Sequence, residues 1–234
     1  MDERKTVLIT GASRGLGLCF ARKYLEGGWR VLAGARSGKN LEELKKDYPD
    51  RLFCLPLDVT DTASVEEAAK KAGQYADRVE LIINNAGIHS ASSFEPLEKT
   101  DLDDCAEVYE VNAVGPLRVV KAFLELIPEN GDGLIANISS ESGSIGTAQR
   151  VKEFDYCMSK AAMNMGTKLL DNYLRPRGIR VIAVHPGWMR TDMGGENADL
   201  DPYETAGRLA GLFERFDRNS EFIFMDNEGN ALLF

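Results

Sequence analysis

The chain is poor in the residues that build metal sites and disulfide frameworks. It has two histidines, His89 and His185, in 234 residues, and its four cysteines, Cys19, Cys54, Cys105 and Cys157, are scattered without paired spacing. No recognisable metal site follows from that set, and such cysteines suit a reducing compartment. Long apolar runs are missing, so no segment reads as a membrane span. Met1-Asp2-Glu3-Arg4-Lys5 leads straight into a strand pattern with no visible signal peptide. The expected location is therefore the cytosol. Positive charge is in deficit: 28 Lys and Arg stand against 37 Asp and Glu, a net charge of −9. That argues against nucleic acid or an anionic membrane as a general partner, while leaving room for one local basic pocket. Low-complexity tracts, long linkers and internal repeats are also missing. The length suits a single large domain, residues 1–234.

What is present is an alternation of short apolar runs and helical patterns. Thr6–Thr10 reads as a buried strand, followed at once by Gly11-Ala12-Ser13-Arg14-Gly15-Leu16-Gly17 and then a helix from Leu18 to Gly27. Strand, glycine turn and helix form a phosphate cradle: glycines admit an anion close to the backbone, and the helix start offers free N–H groups and a positive dipole end. A glycine-rich turn with no ligand is the plainer alternative. The second strand, Arg30–Ala35, ends in Ala35-Arg36-Ser37. A site for the ribose 2′-hydroxyl of NAD usually places an acid there. Arg36, with Arg14 in the glycine turn, is suited instead to clamp a 2′-phosphate, which points to NADP(H) unless both are solvated surface arginines.

A charged helix, Leu41–Lys46, leads to a third strand, Leu52–Leu57, closed by Asp58-Val59. Asp58 can accept from an adenine amino group or serve as a turn carboxylate, with Asp61 competing to cap the next helix, Ala63–Tyr75. A fourth strand, Val79–Ile83, ends in Asn84-Asn85-Ala86-Gly87, small and amide residues suited to close approach of a cofactor. His89 reads as a loop histidine. Leu102–Ile127 carries one long helical pattern with Asn112 inside it and Gly115-Pro116 after it, which implies a kink with free carbonyls. The fifth strand, Leu134–Ile138, ends in Ser139-Ser140. The loop Glu141–Asp155 precedes a helix running from Tyr156 to about Arg175. Ile179–Val184 is a sixth strand, ending in His185-Pro186-Gly187-Trp188. Asp201-Pro202-Tyr203-Glu204 starts a helix that ends near Phe216. Glu221–Met225 is the last strand, and Asp226–Phe234 a short tail. The expected fold is α/β: one doubly wound parallel sheet with helices on both faces. The suggestive residues fall at strand carboxyl ends or on helices facing that crevice, where such sheets bind ligands.

Tyr156 and Lys160 lie four apart on a helix and therefore on one face. A phenol with an ordinary pKa of about 10 is a poor acid–base group at neutral pH. An adjacent ammonium is expected to lower it toward a useful range. Alone, the pair also fits a core tyrosine beside a solvated lysine.

The ordered set resembles the short-chain dehydrogenases/reductases over nearly the whole chain: T-G-A-S-R-G-L-G at Thr10–Gly17, D-V at Asp58–Val59, N-N-A-G at Asn84–Gly87, Asn112, Ser139-Ser140, Y-x-x-x-K at Tyr156–Lys160 and P-G at Pro186–Gly187. The tracts Tyr156–Met165 and His185–Met193 resemble its C-factor-like and sniffer-like carbonyl reductase branch. The resemblance implies that Tyr156 is the acid in carbonyl reduction, that Lys160 lowers its pKa and binds the nicotinamide ribose, and that Ser140 hydrogen-bonds the substrate oxygen. It further implies that Asn112 holds a water linking Lys160 to solvent. Gly11, Ser13, Arg14, Gly15, Leu16 and Gly17 would surround the phosphates. Arg36, Asp58, Val59, Asn85, Ala86, Gly87, Pro186, Gly187 and Thr191 would complete the cofactor site, with Thr191 on the nicotinamide carboxamide. Ser140 and Tyr156 are about three residues further apart than is usual in the family, so Ser139 and Ser142 compete with Ser140. Trp188–Leu200, with Trp188, Met189 and Met193, would lid the site. The substrate would be a small carbonyl compound, and a homodimer or homotetramer would form through the helices of Asn112 and Tyr156. An NADP(H)-binding regulatory protein on the same fold is the competing reading.

Overall fold

The computed structural model describes residues 4–234. Continuous apolar runs become strands buried on both faces. These are β1 (Thr6–Thr10), β2 (Arg30–Ala35), β3 (Leu52–Pro56), β4 (Leu81–Asn84), β5 (Leu134–Ile138), β6 (Arg180–Val184) and β7 (Phe224–Met225). All pair in parallel, in the order β3-β2-β1-β4-β5-β6-β7. Successive side chains on a strand point to opposite faces. Val7 and Ile9 therefore join one core, with Phe20 and Phe213, while Leu8 joins the other, with Val65 and Phe123. The first face is covered by α1 (Gly15–Glu26), α2 (Lys39–Asp47) and α7 (Pro202–Arg215). Phe20 of α1 stacks on Phe213 of α7 at 6.1 Å. The second face carries α3 (Thr62–Ala72), α5 (Gly115–Phe123) and α6 (Phe154–Leu174), with α4 (Cys105–Tyr109) packed against α6.

The expected doubly wound sheet is the one observed. The chain runs outward from β1 through β2 to β3, then returns to β4 beside β1 and runs outward the other way. The winding reverses between β1 and β4, which opens a crevice at their carboxyl ends. The long helix expected over Leu102–Ile127 is not continuous. A π-helical turn, Glu110–Val114, separates α4 from α5 and holds Asn112, and α5 opens on Gly115-Pro116. The last strand is reduced to two residues. The tail after it turns back through Asp226–Asn230 and bridges Met225 to Ala231 in antiparallel fashion. Both expected carboxylate caps form: Asp61 accepts from Ala63 N, and Asp201 accepts from Tyr203 N and Glu204 N. Among the described residues no helix is long and apolar enough to cross a membrane.

Candidate active site

The glycine turn after β1 is built against the end of β4. Thr10 Oγ1 accepts from Asn85 N and Ala86 N, both at 3.0 Å, and Asn85 Nδ2 donates to Thr10 O at 3.0 Å. Gly11 and Gly15 adopt positive φ, +64° and +52°. A Cβ on Gly17 would collide with the Gly11 carbonyl oxygen and the Asn85 amide. Only glycine lets α1 approach its own turn this closely. Arg14 gives α1 no side-chain cap, and no acid occupies its first turn. The first N–H groups and the positive dipole end therefore face the crevice unopposed, which fits a pyrophosphate. Ser13 is held by its carbonyl, which accepts from Asn40 Nδ2 at 2.9 Å. Leu16 is buried beneath the turn. Arg36 is exposed at the end of β2, where an acid would repel a 2′-phosphate.

Asp58 closes its own turn: Oδ1 accepts from Thr60 N at 2.9 Å and Thr60 Oγ1 at 2.7 Å. Those bonds, opposed by burial and aided by the charges of Arg36 and Arg118, hold its carboxyl below the usual range. Val59 is buried, and its Cβ would lie 3.0 Å from any Cβ placed on Gly115, so a glycine is needed where α5 begins. Arg118, unremarked in the sequence, bonds Val59 O at 2.6 Å and Thr62 Oγ1 at 3.0 Å and pairs with Glu110. It ties the third strand's exit to the π-helical turn.

On the other side of the crevice stand Ser140, Tyr156 and Lys160. Lys160 is 4% exposed. Its Nζ donates to Ile138 O at 2.8 Å and lies 5.5 Å from the centre of the Tyr156 ring. Burial alone pulls the Lys160 ammonium down to about 7. Burial pushes the Tyr156 phenol up to about 12, against the pull of the Ser140 side chain. The expectation that Lys160 lowers the phenol's pKa is thus not met in the chain by itself. Desolvation disfavours the charged form of both groups, and the ammonium is itself half neutral near pH 7.

The serines differ in their hydrogen bonds. Ser139 is spent on Asn164, its Oγ donating to Oδ1 at 2.6 Å. Ser140 lies two residues beyond β5, caps the short turn Glu141–Gly143, exchanges a hydrogen bond with Ser142 at 3.0 Å and acts on Tyr156. Asn112 is fully buried. Its Nδ2 donates to Ile88 O and Ser159 Oγ, and its Oδ1 accepts from Ile88 N. Both amide protons are used within the protein, leaving one lone pair of Oδ1 for the expected water. A Cβ on Gly87 would sit 3.3 Å from Asn112 Oδ1 and 3.6 Å from Lys160 Nζ, so this glycine keeps open the space between them.

The segment after β6 folds back onto the glycine turn. Pro186 O accepts from Asn227 Nδ2, and Gly187 has φ +86° with Leu200 pressed where a Cβ would stand. Trp188–Leu200 folds on itself through Leu200 N to Trp188 O at 3.0 Å and Trp188 Nε1 to Gly194 O at 2.8 Å. Thr191 comes down on the glycine turn, with Cγ2 at 3.6 Å from a Cβ placed on Gly15. Beside it Asp192 pairs with Arg14 at 2.9 Å.

Ser140, Tyr156 and Lys160 thus stand together past the end of β5, with Asn112 buried behind Gly87, and the glycine-lined helix start follows β1 on the other side of β4. The family model described as short chain dehydrogenase matches residues 5–201. The chain belongs to that family. The C-signal of Myxococcus xanthus is 32% identical over 154 residues, covering 66% of this chain and 92% of that protein. The crystal structure of NADPH-bound carbonyl reductase from chicken fatty liver is 33% identical, with a TM-score of 0.87 over 99% of each chain. Carbonyl reductase Sniffer of D. melanogaster is 26% identical, with a TM-score of 0.90 over 99% of this chain and 100% of that one.

Several residues that build this dehydrogenase's crevice carried no sequence signal. Asp155 is buried in the first turn of α6 and accepts from Ser90 N at 2.8 Å and Ser93 Oγ at 2.7 Å, fastening the loop after β4. Asn164 holds Ser139 and, through Nδ2, the Gly143 carbonyl at 3.1 Å. A Cβ on Gly143 would lie 2.6 Å from the Lys160 backbone, so the serine loop sits directly on α6. A chain of amides and a hydroxyl, Asn84 to Asn137 to Thr167, links the sheet to that helix. His89 is a loop residue, its Nδ1 within 2.8 Å of Ser90 O, and His185 is held by its backbone N on Met225 O.

Proposed function

We propose that the protein is an NADPH-dependent oxidoreductase that reduces an aldehyde, ketone or quinone to an alcohol. The observation that carries this is the approach of Ser140, Tyr156 and Lys160 across a crevice from an uncapped glycine turn with Arg14 and Arg36 nearby and no acid after β2. Bound NADPH would supply the hydride, which is the cofactor's own chemistry. The chain's residues orient the carbonyl and manage the proton. Tyr156 stays protonated up to about pH 12 and so is a donor throughout the physiological range. Ser140 is placed as a second donor to the developing alkoxide. Lys160, titrating near 7, can restore the phenol's proton and bind the nicotinamide ribose. Gly11, Gly15 and Gly17 would admit the pyrophosphate, Arg14 and Arg36 would hold the 2′-phosphate, and Thr191 would meet the carboxamide. Asn112 is fixed on the Ile88 backbone and would hold the water that links Lys160 to solvent.

Substituting Tyr156→Phe should lower kcat by roughly 10²- to 10⁴-fold, the usual contribution of a general acid, while NADPH affinity measured by fluorescence titration persists. Turnover at the wild-type rate would remove Tyr156 from the mechanism. A dimer or tetramer through α4, α5 and α6 also belongs to this reading, supported by the apolar outer face of α6. The non-catalytic regulatory reading draws on the likeness to C-signal. NADPH binding without turnover on a panel of aldehydes, ketones and quinones would favour it.

A further inference from the structure

At the end of the sheet opposite the crevice lies a cavity of about 390 Å³ in which three guanidiniums converge. Arg175 comes from the turn after α6, Arg180 from the first position of β6, and Arg218 from the turn after α7. Two carboxylates answer two of them. Asp171, wholly buried, accepts from Arg175 at 2.8 and 3.1 Å and from Arg180 Nε at 2.9 Å. Glu221, on the rim, accepts from Arg175 Nη1 at 2.9 Å. Arg180 spends its remaining donors on the carbonyls of Arg218 and Ser220. Arg218 is left over. Its Nη1 is fully buried and has no hydrogen-bond partner among the described residues, although the residue lines the cavity.

A buried guanidinium N–H without an acceptor is costly and calls for one. Arg218 also feels the wrong surroundings for a cation: burial and the charge of Arg180 both disfavour its protonated form, with only Asp132 pulling the other way. Asp132 in turn lies 4.0 Å from Arg78. A water molecule would satisfy the donor but not the charge. An oxyanion in the cavity would answer the charge from the side on which this half-buried residue lines the space, and the planar guanidinium fork matches phosphate and carboxylate geometry. Asn130 and Asn219 border the same space. The volume exceeds that of a bare oxyanion head, so a short organic body fits with it.

We propose that this cavity is a second anion site, taking a small multiply charged oxyanion of phosphate or dicarboxylate chemistry with Arg218 as its principal ligand. The net charge of −9 makes general attraction of anions unfavourable, so binding here reflects the local surplus of one cation. The test titrates inorganic phosphate and, separately, succinate into the protein, with sodium chloride at matched ionic strength as the reference. Calorimetry and thermal unfolding report. The double variant Arg14→Ala/Arg36→Ala is run alongside to silence the cofactor crevice. Saturable binding is expected, retained in the double variant and weakened at least tenfold in Arg218→Met. That variant should melt at or above the wild type without anion, because it removes an unpaired buried charge, and should lose the anion-dependent rise. Preference for phosphate or for succinate assigns the chemistry of the natural ligand. No saturable binding of either probe, undiminished binding by Arg218→Met, or loss of binding in the double variant would each overturn the proposal.

Discussion

Lys160 is the residue at which burial and charge conflict most sharply. Its ammonium, 4% exposed, is drawn down to about 7, against about 10.4 in an unfolded chain. Between those values the unfolded state binds the extra proton, so stability should rise with pH across that window and lie lowest below about pH 7. Lys160→Met deletes this contribution. Denaturant unfolding from pH 6 to 9.5 should give a stability difference between variant and wild type that favours the variant by a few kcal/mol at most near neutrality and shrinks as pH rises. A difference independent of pH would mean that Lys160 keeps an ordinary pKa. Tyr156 works in the other direction. Its phenol, raised to about 12, loses stabilising protonation only as pH climbs from about 10 through 12. The sequence suggested a phenol activated by its lysine neighbour, because spacing reveals proximity but not desolvation. The serines separate by the same kind of reasoning. Ser140→Ala should cost turnover by roughly 10²- to 10³-fold if it donates to the alkoxide, whereas Ser139→Ala removes a buried bond to Asn164 and should lower thermal stability instead. Equal kcat losses from both would erase the distinction.

Helix α6 reverses the usual amphipathic order, and that explains what was and was not legible in it. Lys160, Asn164, Thr167 and Asp171 recur at helical spacing and are all buried, while Met165, Leu169 and Tyr173 are 61%, 59% and 67% exposed. A pattern reading that expects apolar residues inside finds the helix but gives no sign that Asp155 and Asn164 point inward. The split of the expected Leu102–Ile127 helix has a local cause that was visible: Gly115-Pro116 breaks the hydrogen-bond ladder, and the extra residue is absorbed in the turn around Asn112. The outward apolar stripe continues across the gap, with Tyr109 and Leu117 exposed on the neighbouring helices. In the proposed dimer or tetramer this stripe would form the contact. A charge at its centre, Leu169→Glu, should convert an assembled wild type to monomer in size-exclusion chromatography with light scattering. A wild type that is monomeric at every concentration would rule the interface out.

For the whole molecule, the order of strands fixes where chemistry happens. The reversal between β1 and β4 brings the glycine turn, the Asn85–Gly87 stretch and the Tyr156 face of α6 to one crevice, although they are far apart in the chain. This much was expected from motif positions, since each motif ended a strand or lay on a helix facing the strand ends. The partner of Arg14 did not, because it lies 178 residues away: the guanidinium expected at a 2′-phosphate instead pairs with Asp192 on the segment over the cleft. Both side chains are largely exposed, 68% and 75%, so the pair contributes no more than about 1 kcal/mol. Asp192 nevertheless competes for the cation that the proposed cofactor needs, and its own charge repels a phosphate. Asp192→Asn should tighten NADPH binding by about twofold to fivefold, the equivalent of such a pair, and leave NADH binding unchanged, since NADH has no 2′-phosphate. The gain should fade as salt screens the site. An equal gain for both nucleotides would place Asp192 against the pyrophosphate or the lid instead, and no gain for either would leave Arg36 as the residue that reads the 2′-phosphate.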